Sequence, residues 1–149
     1  MLQKEFSFIE AHLSHINEES LNISKANVGW HLDHVLKVIN VVSEALKNSN
    51  PEEYKRKFNR LRFVIFALGF FPRGKAKSPK RVLPPEIILQ TAIENQLKLA
   101  IQNLEAIQSL NEHSNFTHPL FQQLNKKQTL RFLKLHTKHH LNIVKDILK

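Results

Sequence analysis

Leu2, Phe6, Ile9, Leu13 and Ile16 recur at steps of three and four, the spacing that collects apolar side chains on one face of a helix. The polar stretch NEESLNIS, residues 17–24, ends that pattern, and Ser24 reads as the N-cap of a second helix. Val28, His31, Val35, Val38, Ile39, Val42 and Leu46 form its stripe. Asn48 to Pro51 is a stop, and Pro51 followed by Glu52 and Glu53 suits the first turn of a third helix, predicted over 51–68 and closed by Gly69. GFFPRGKAKSPKRVLPP, residues 69–85, has no period and reads as a long connection. A further helix is predicted from Glu86, with Leu89, Ile93, Leu97, Ala100, Leu104 and Ile107 on one side. A loop from Asn111 to Asn125 leads to a last helix, Lys126 to Leu148. The pattern predicts an all-α fold: one domain, an up-and-down-type four-helix bundle with a long crossover and an extra short helix.

Composition narrows what such a bundle could do. The 149 residues contain no cysteine, which removes disulfides and thiolate ligands, so a transition metal must be held by His, Asp or Glu. No run approaches a membrane span, and MLQKEFSFIEAHL lacks the features of a signal peptide. The expectation is a cytoplasmic protein with no membrane partner. The formal charge of +9 suits an anionic partner. Nucleic acid is not expected, because the charge is spread and the aromatics are mostly Phe at core spacing.

The chemistry concentrates in HTKHH, residues 136–140. At about 100° per residue, and with Leu133 as origin, His140 lies roughly 20° and His136 roughly 60° away, both within the apolar stripe. His139 falls near its edge. On the second helix His31 is the inward histidine; His34 lies nearer the boundary, Asp33 points away, and Trp30 is placed on the side opposite His31. Two histidines at i, i+4 plus one from another helix can converge on a single ion. His12, His15, His113 and His118 read as surface or loop residues.

With those residues in place, the chain resembles the DinB-like superfamily of metal-binding four-helix bundles. "SKANVGWHLDHVLKVIN" sets His31 seven residues after Ser24, and "LHTKHHLNIVKDIL" is similar to the terminal motif, whose first and last histidines are ligands. The resemblance implies one divalent transition metal (Zn, Ni or Fe) on His31, His136 and His140. His34 and His139 stand as alternatives or supporting neighbours, and a second helix starting three residues later substitutes His34 for His31. "PRGKAKSPK" and an HP-F segment are similar to a branch described as a domain of unknown function. Relatives there tend to carry glycine after the phenylalanine, where this chain has Gln122.

Some members of that superfamily transfer low-molecular-weight thiols, and others are described as hydrolases. No acid lies on the inward stripes beside the histidines, which tilts the reading toward thiol S-transfer on a small anionic substrate. The alternatives are metal-assisted hydrolysis and a non-catalytic, metal- or DNA-associated stress protein. Arg73, Lys75, Lys77, Lys80 and Arg81 crowd the crossover with no acid between, and the functional reading is an anion-recognising flap. A homodimer is compatible with the pattern.

Overall fold

The computed structural model describes residues 1–74 and 79–149. Five helices form: α1 (Gln3–Ala11), α2 (Val28–Lys47), α3 (Arg60–Leu68), α4 (Gln90–Ala106) and α5 (Lys126–Ile147). Short 3-10 turns lie at Leu13–His15, Pro51–Glu53, Lys80–Val82 and Ile107–Ser109. The fold is mostly helical but not all-α, because the predicted loop before α5 holds a hairpin. Its strands β1 (Asn115–His118) and β2 (Gln122–Asn125) pair antiparallel, Asn115 opposite Asn125 and His118 opposite Gln122.

α2 is the hub. Its most extensive contacts run to α4 on one side and α5 on the other. Leu32, Val35, Leu36, Ile39 and Leu46 are fully enclosed. They pack in one core with Ile9 of α1, Ile93 and Ala100 of α4, and Leu133 and Val144 of α5. A helix surrounded in this way has little solvent face, so its polar residues must find partners inside.

Ser24 is not the cap of α2. Asn27 is, its side-chain oxygen accepting from the Trp30 amide at 2.9 Å. The shift follows from how the preceding chain docks: Val28 N–H donates to Glu18 O at 2.9 Å and Gly29 N–H to Ile16 O at 2.8 Å. A Cβ on Gly29 would sit 2.8 Å from that same Ile16 oxygen, so the close approach requires glycine.

The predicted 51–68 helix is also revised. Only a 3-10 turn follows Asn50, residues 54–59 are irregular, and α3 starts where Asn59 accepts from the Arg62 amide at 2.8 Å. Arg62 is buried and anchors this unit through Nη1, which donates to the carbonyls of Phe121 and Gln123 at 3.3 and 3.1 Å. Gly69 ends α3 at φ 73°, in the left-handed region. α4 opens at Gln90 rather than Glu86, the chain staying extended through Leu89.

Gln122 opens β2 at φ 59°. A side chain there is strained by the clash of Cβ with the following carbonyl. Glycine, which has no Cβ, adopts such a conformation without that clash.

Candidate metal centre

Four imidazoles from α2 and α5 meet in one layer. Ring centroids of His34 and His140 are 4.7 Å apart, those of His136 and His140 4.6 Å, His34 and His136 5.2 Å, and His31 and His140 5.3 Å. Among the described residues, His34, His136 and His140 each offer a ligand nitrogen, all within 4.8 Å of one another. Bonds of about 2 Å bring nitrogens around one ion somewhat closer together than this, so the set could hold a metal.

The sequence reading placed His31 in that set, with His34 as the alternative if the helix began three residues later. The helix does begin with a cap three residues later, at Asn27, and His34 follows that cap by seven. His31 stays in contact. Its Nδ1 lies 2.9 Å from His140 Nδ1, and its Nε2 lies 3.0 Å from Ser24 Oγ. Ser24 therefore orients an imidazole instead of capping a helix.

Hydrogen bonds prepare the ligands. His34 Nδ1 donates to the carbonyl of Val82 at 2.8 Å, which fixes the tautomer and leaves Nε2 with its lone pair. His136 Nδ1 is sealed from solvent and has no hydrogen-bond partner among the described residues. A buried polar atom without a partner costs roughly 1–3 kcal/mol. A cation satisfies an imidazole lone pair directly, so the donor set fits a metal. Neutral nitrogen donors suit Zn, Ni, Fe or Cu, whereas Mg and Ca prefer oxygen.

Burial keeps these rings neutral. It pushes His31 down to about 4, with the nearby His34 adding to the shift. His136 and His140 are held well below the ordinary histidine range, again by burial first and by neighbouring imidazoles second. His34 is lowered by burial, opposed by its bond to Val82 and by Asp33. At neutral pH no proton competes for the ligand nitrogens.

Aromatic side chains wall the layer. Trp30 lies beside the histidines, contrary to the helical-wheel placement: its ring stacks on His34 at 4.9 Å and meets His31 edge-on at 5.2 Å. The indole is long enough to fold along α2 onto the residue one turn later. Phe71, from the crossover, stands 6.3 Å from His136 and 6.0 Å from His139, and Phe132 stands 5.5 Å from His136. His118, read from the sequence as a surface residue, stacks on Phe121 at 4.5 Å and is pushed by burial down to about 4. Nothing in the local sequence marks it, because its burial comes from the hairpin turn.

Asp33 does not point away. It is buried against α4, with Gln96 Nε2 donating to Oδ1 at 2.6 Å and Lys37 Nζ 2.7 Å from Oδ2. No acid joins the histidine group among the described residues. Of the predicted anion-binding cations, Arg73 pairs with Asp146 at 2.7 Å, and Lys80 and Arg81 are exposed in the turn that delivers Val82. Lys75 and Lys77 lie outside the described residues. Beside the histidine layer, a cavity of about 360 Å³ is lined by Phe71, Arg73, Lys138, His139 and Asn142, among others. A larger one, about 570 Å³, lies by the hairpin near Lys55 and Gln123 and is lined by no histidine.

The fold and site define a helical protein with a buried histidine cluster that could bind a metal. The chain belongs to the family described as protein of unknown function DUF1569, whose model matches residues 4–147. No curated protein and no solved structure matches it.

Proposed function

We propose that this protein is a DinB-like bundle that binds one divalent transition metal through His34, His136 and His140 and uses it to transfer a thiol to a small electrophile. His31 supports His140. The observation that carries the reading is the sealed, unpartnered Nδ1 of His136 inside a cluster of neutral imidazoles. Three neutral ligands leave both charges of a divalent ion uncompensated, so the open side favours an anion. When bound, such an ion holds a thiol as its thiolate and keeps it oriented.

The protein's own residues supply the rest. The carbonyl of Val82 fixes His34, and Ser24 fixes His31. Trp30, Phe71 and Phe132 exclude water from the rings. Lys138, lining the adjacent cavity, suits a carboxylate on the thiol or its acceptor, beside an Arg73 already paired with Asp146. In the transfer, the sulfur forms a bond to an electrophilic carbon, the leaving group departs with its electron pair, and the thiol proton passes to solvent. Hydrolysis is the second reading; it lacks a carboxylate base in the cluster among the described residues.

Elemental analysis of untagged protein tests the first half: one equivalent of a transition metal is expected, and none after His136→Ala. The second half is tested by thiol-dependent consumption of a chlorodinitrobenzene. Turnover of an ester or amide in the absence of thiol would instead select hydrolysis.

A further inference from the structure

The histidine layer leaves one surface unexplained. From Tyr54 to Pro85 the sequence contains ten cations and no acid, leaving twelve cations and thirteen acids for the rest of the chain. The whole positive balance resides in this segment. At its centre is α3, whose amphipathicity is inverted. Its inward side is Arg62, Ile65 and Phe66; its outward side is apolar. Phe63 is 62% exposed, Val64 48%, Leu68 56% and Leu61 46%, and Phe58 just before the helix is 75% exposed. At about 100° per residue, Phe63, Ala67, Val64, Leu68 and Leu61 sweep an arc of about 160° interrupted only by Arg60. Phe70, 55% exposed, extends the patch beyond the C-cap.

An apolar face of this kind needs a cover. Lys55, Arg56, Lys57 and Arg60, all exposed, stand at its edge. Arg62 ties the unit to the hairpin, as does Lys55 N–H, which donates to Gln123 Oε1 at 2.8 Å. We infer that α3 and its basic approach dock on an anionic lipid surface, the apolar residues entering the interfacial layer and the cations meeting headgroups.

The charge selects this occupant. A second copy across a two-fold axis would bring the same cations against themselves. A nucleic acid would satisfy the cations but leave Leu61, Val64 and Leu68 with no apolar counterpart. A bilayer surface supplies both negative charge and hydrocarbon. No helix among the described residues is long and apolar enough to cross a membrane, so the contact is peripheral. It departs from the expectation, drawn from the sequence pattern, of no membrane partner.

Flotation of the full chain with phosphatidylglycerol-containing vesicles tests the inference, with pure phosphatidylcholine vesicles as reference. Binding is expected on the anionic vesicles only, and it should weaken as salt rises from about 0.1 M to about 1 M. Phe63→Ser, Val64→Ser and Leu68→Ser together preserve every charge and alter only exposed positions. They should weaken binding at least about tenfold with the helical circular dichroism unchanged. Arg56→Glu with Lys57→Glu should do the same, and His136→Ala should bind vesicles like the parent, separating this surface from the metal site. The inference is overturned by vesicle binding that the serine variant retains. It is equally overturned if the anionic vesicles are not bound, self-association abolished in the serine variant then assigning the patch to a second copy and oligonucleotide binding assigning the cations to nucleic acid.

Discussion

α2 carries polar side chains toward two neighbours, and the two interfaces are built differently. Toward α4, Asn40 Nδ2 donates to the carbonyl of Gln96 at 3.1 Å, Asn103 Nδ2 to Asn40 Oδ1 at 3.0 Å, and Lys47 Nζ to Asn103 Oδ1 at 2.9 Å. Asp33 adds Gln96 and Lys37. That ladder completes itself with protein groups. Toward α5, the histidines contact one another, and among the described residues His136 Nδ1 and Thr137 Oγ1 are buried without a hydrogen-bond partner, as is Ser43 Oγ on α2. Buried polar groups are as a rule satisfied by one another, so an imidazole nitrogen left without a partner inside a cluster of other metal-competent nitrogens sets the second interface apart.

The sharpest way to break the contrast is to remove a histidine. His34→Ala and His136→Ala should each lower metal affinity by more than about 100-fold, beyond the range seen when only a supporting hydrogen bond is lost. Isothermal titration of chelator-stripped protein measures this. Removing the metal from the parent should itself lower stability: at a free concentration of about 100 Kd, linkage gives about 2.7 kcal/mol. A thermal melt with and without metal reads that shift, and His136→Ala should show none. The α4 ladder should answer in the opposite sense. Asn103→Ala leaves the Asn40 Oδ1 without its donor, while Lys47 keeps Glu44, costing about 1–3 kcal/mol in urea unfolding with metal affinity unchanged.

Acid should act through the depressed histidines. Burial lowers His31 and His118 to about 4 in the folded chain, from the ordinary histidine value of 6.5 that they regain on unfolding. Their contribution is therefore fully present above pH 6.5, declines as pH falls from 6.5, and is exhausted below about 4. Melting of metal-free protein across that window should trace the loss. The smallest expected effect lies far from both interfaces. Gln122→Gly relieves the left-handed residue of β2 and should stabilise by about 0.5–1 kcal/mol with no change in metal binding.

The apolar periods marked every long helix and both histidine-bearing segments, because a stripe facing a core imposes its spacing locally. Which histidine of α2 joins His136 and His140 in the closest nitrogen triad was less legible. A helix enclosed on both sides buries His31 and His34 alike, so rotation about its axis cannot rank them. What separates them is a backbone carbonyl at Val82 and a hydroxyl at Ser24, one supplied by a distant segment and the other displaced from its expected capping role. The hairpin escaped notice because four-residue strands such as NFTH and QQLN carry almost no period. Asp33 was misplaced for a related reason: its partners Gln96 and Lys37 compensate a charge that a wheel diagram sends to water.

The Val82 carbonyl has a consequence for how the crossover can be altered. It acts as a latch across forty-eight positions of chain, holding one imidazole to a single orientation. Shortening or re-sequencing that strap would let the ring of His34 swivel and surrender its aim. The proposed cation site would then be open to damage from edits at Val82, whose side chain takes no part in it.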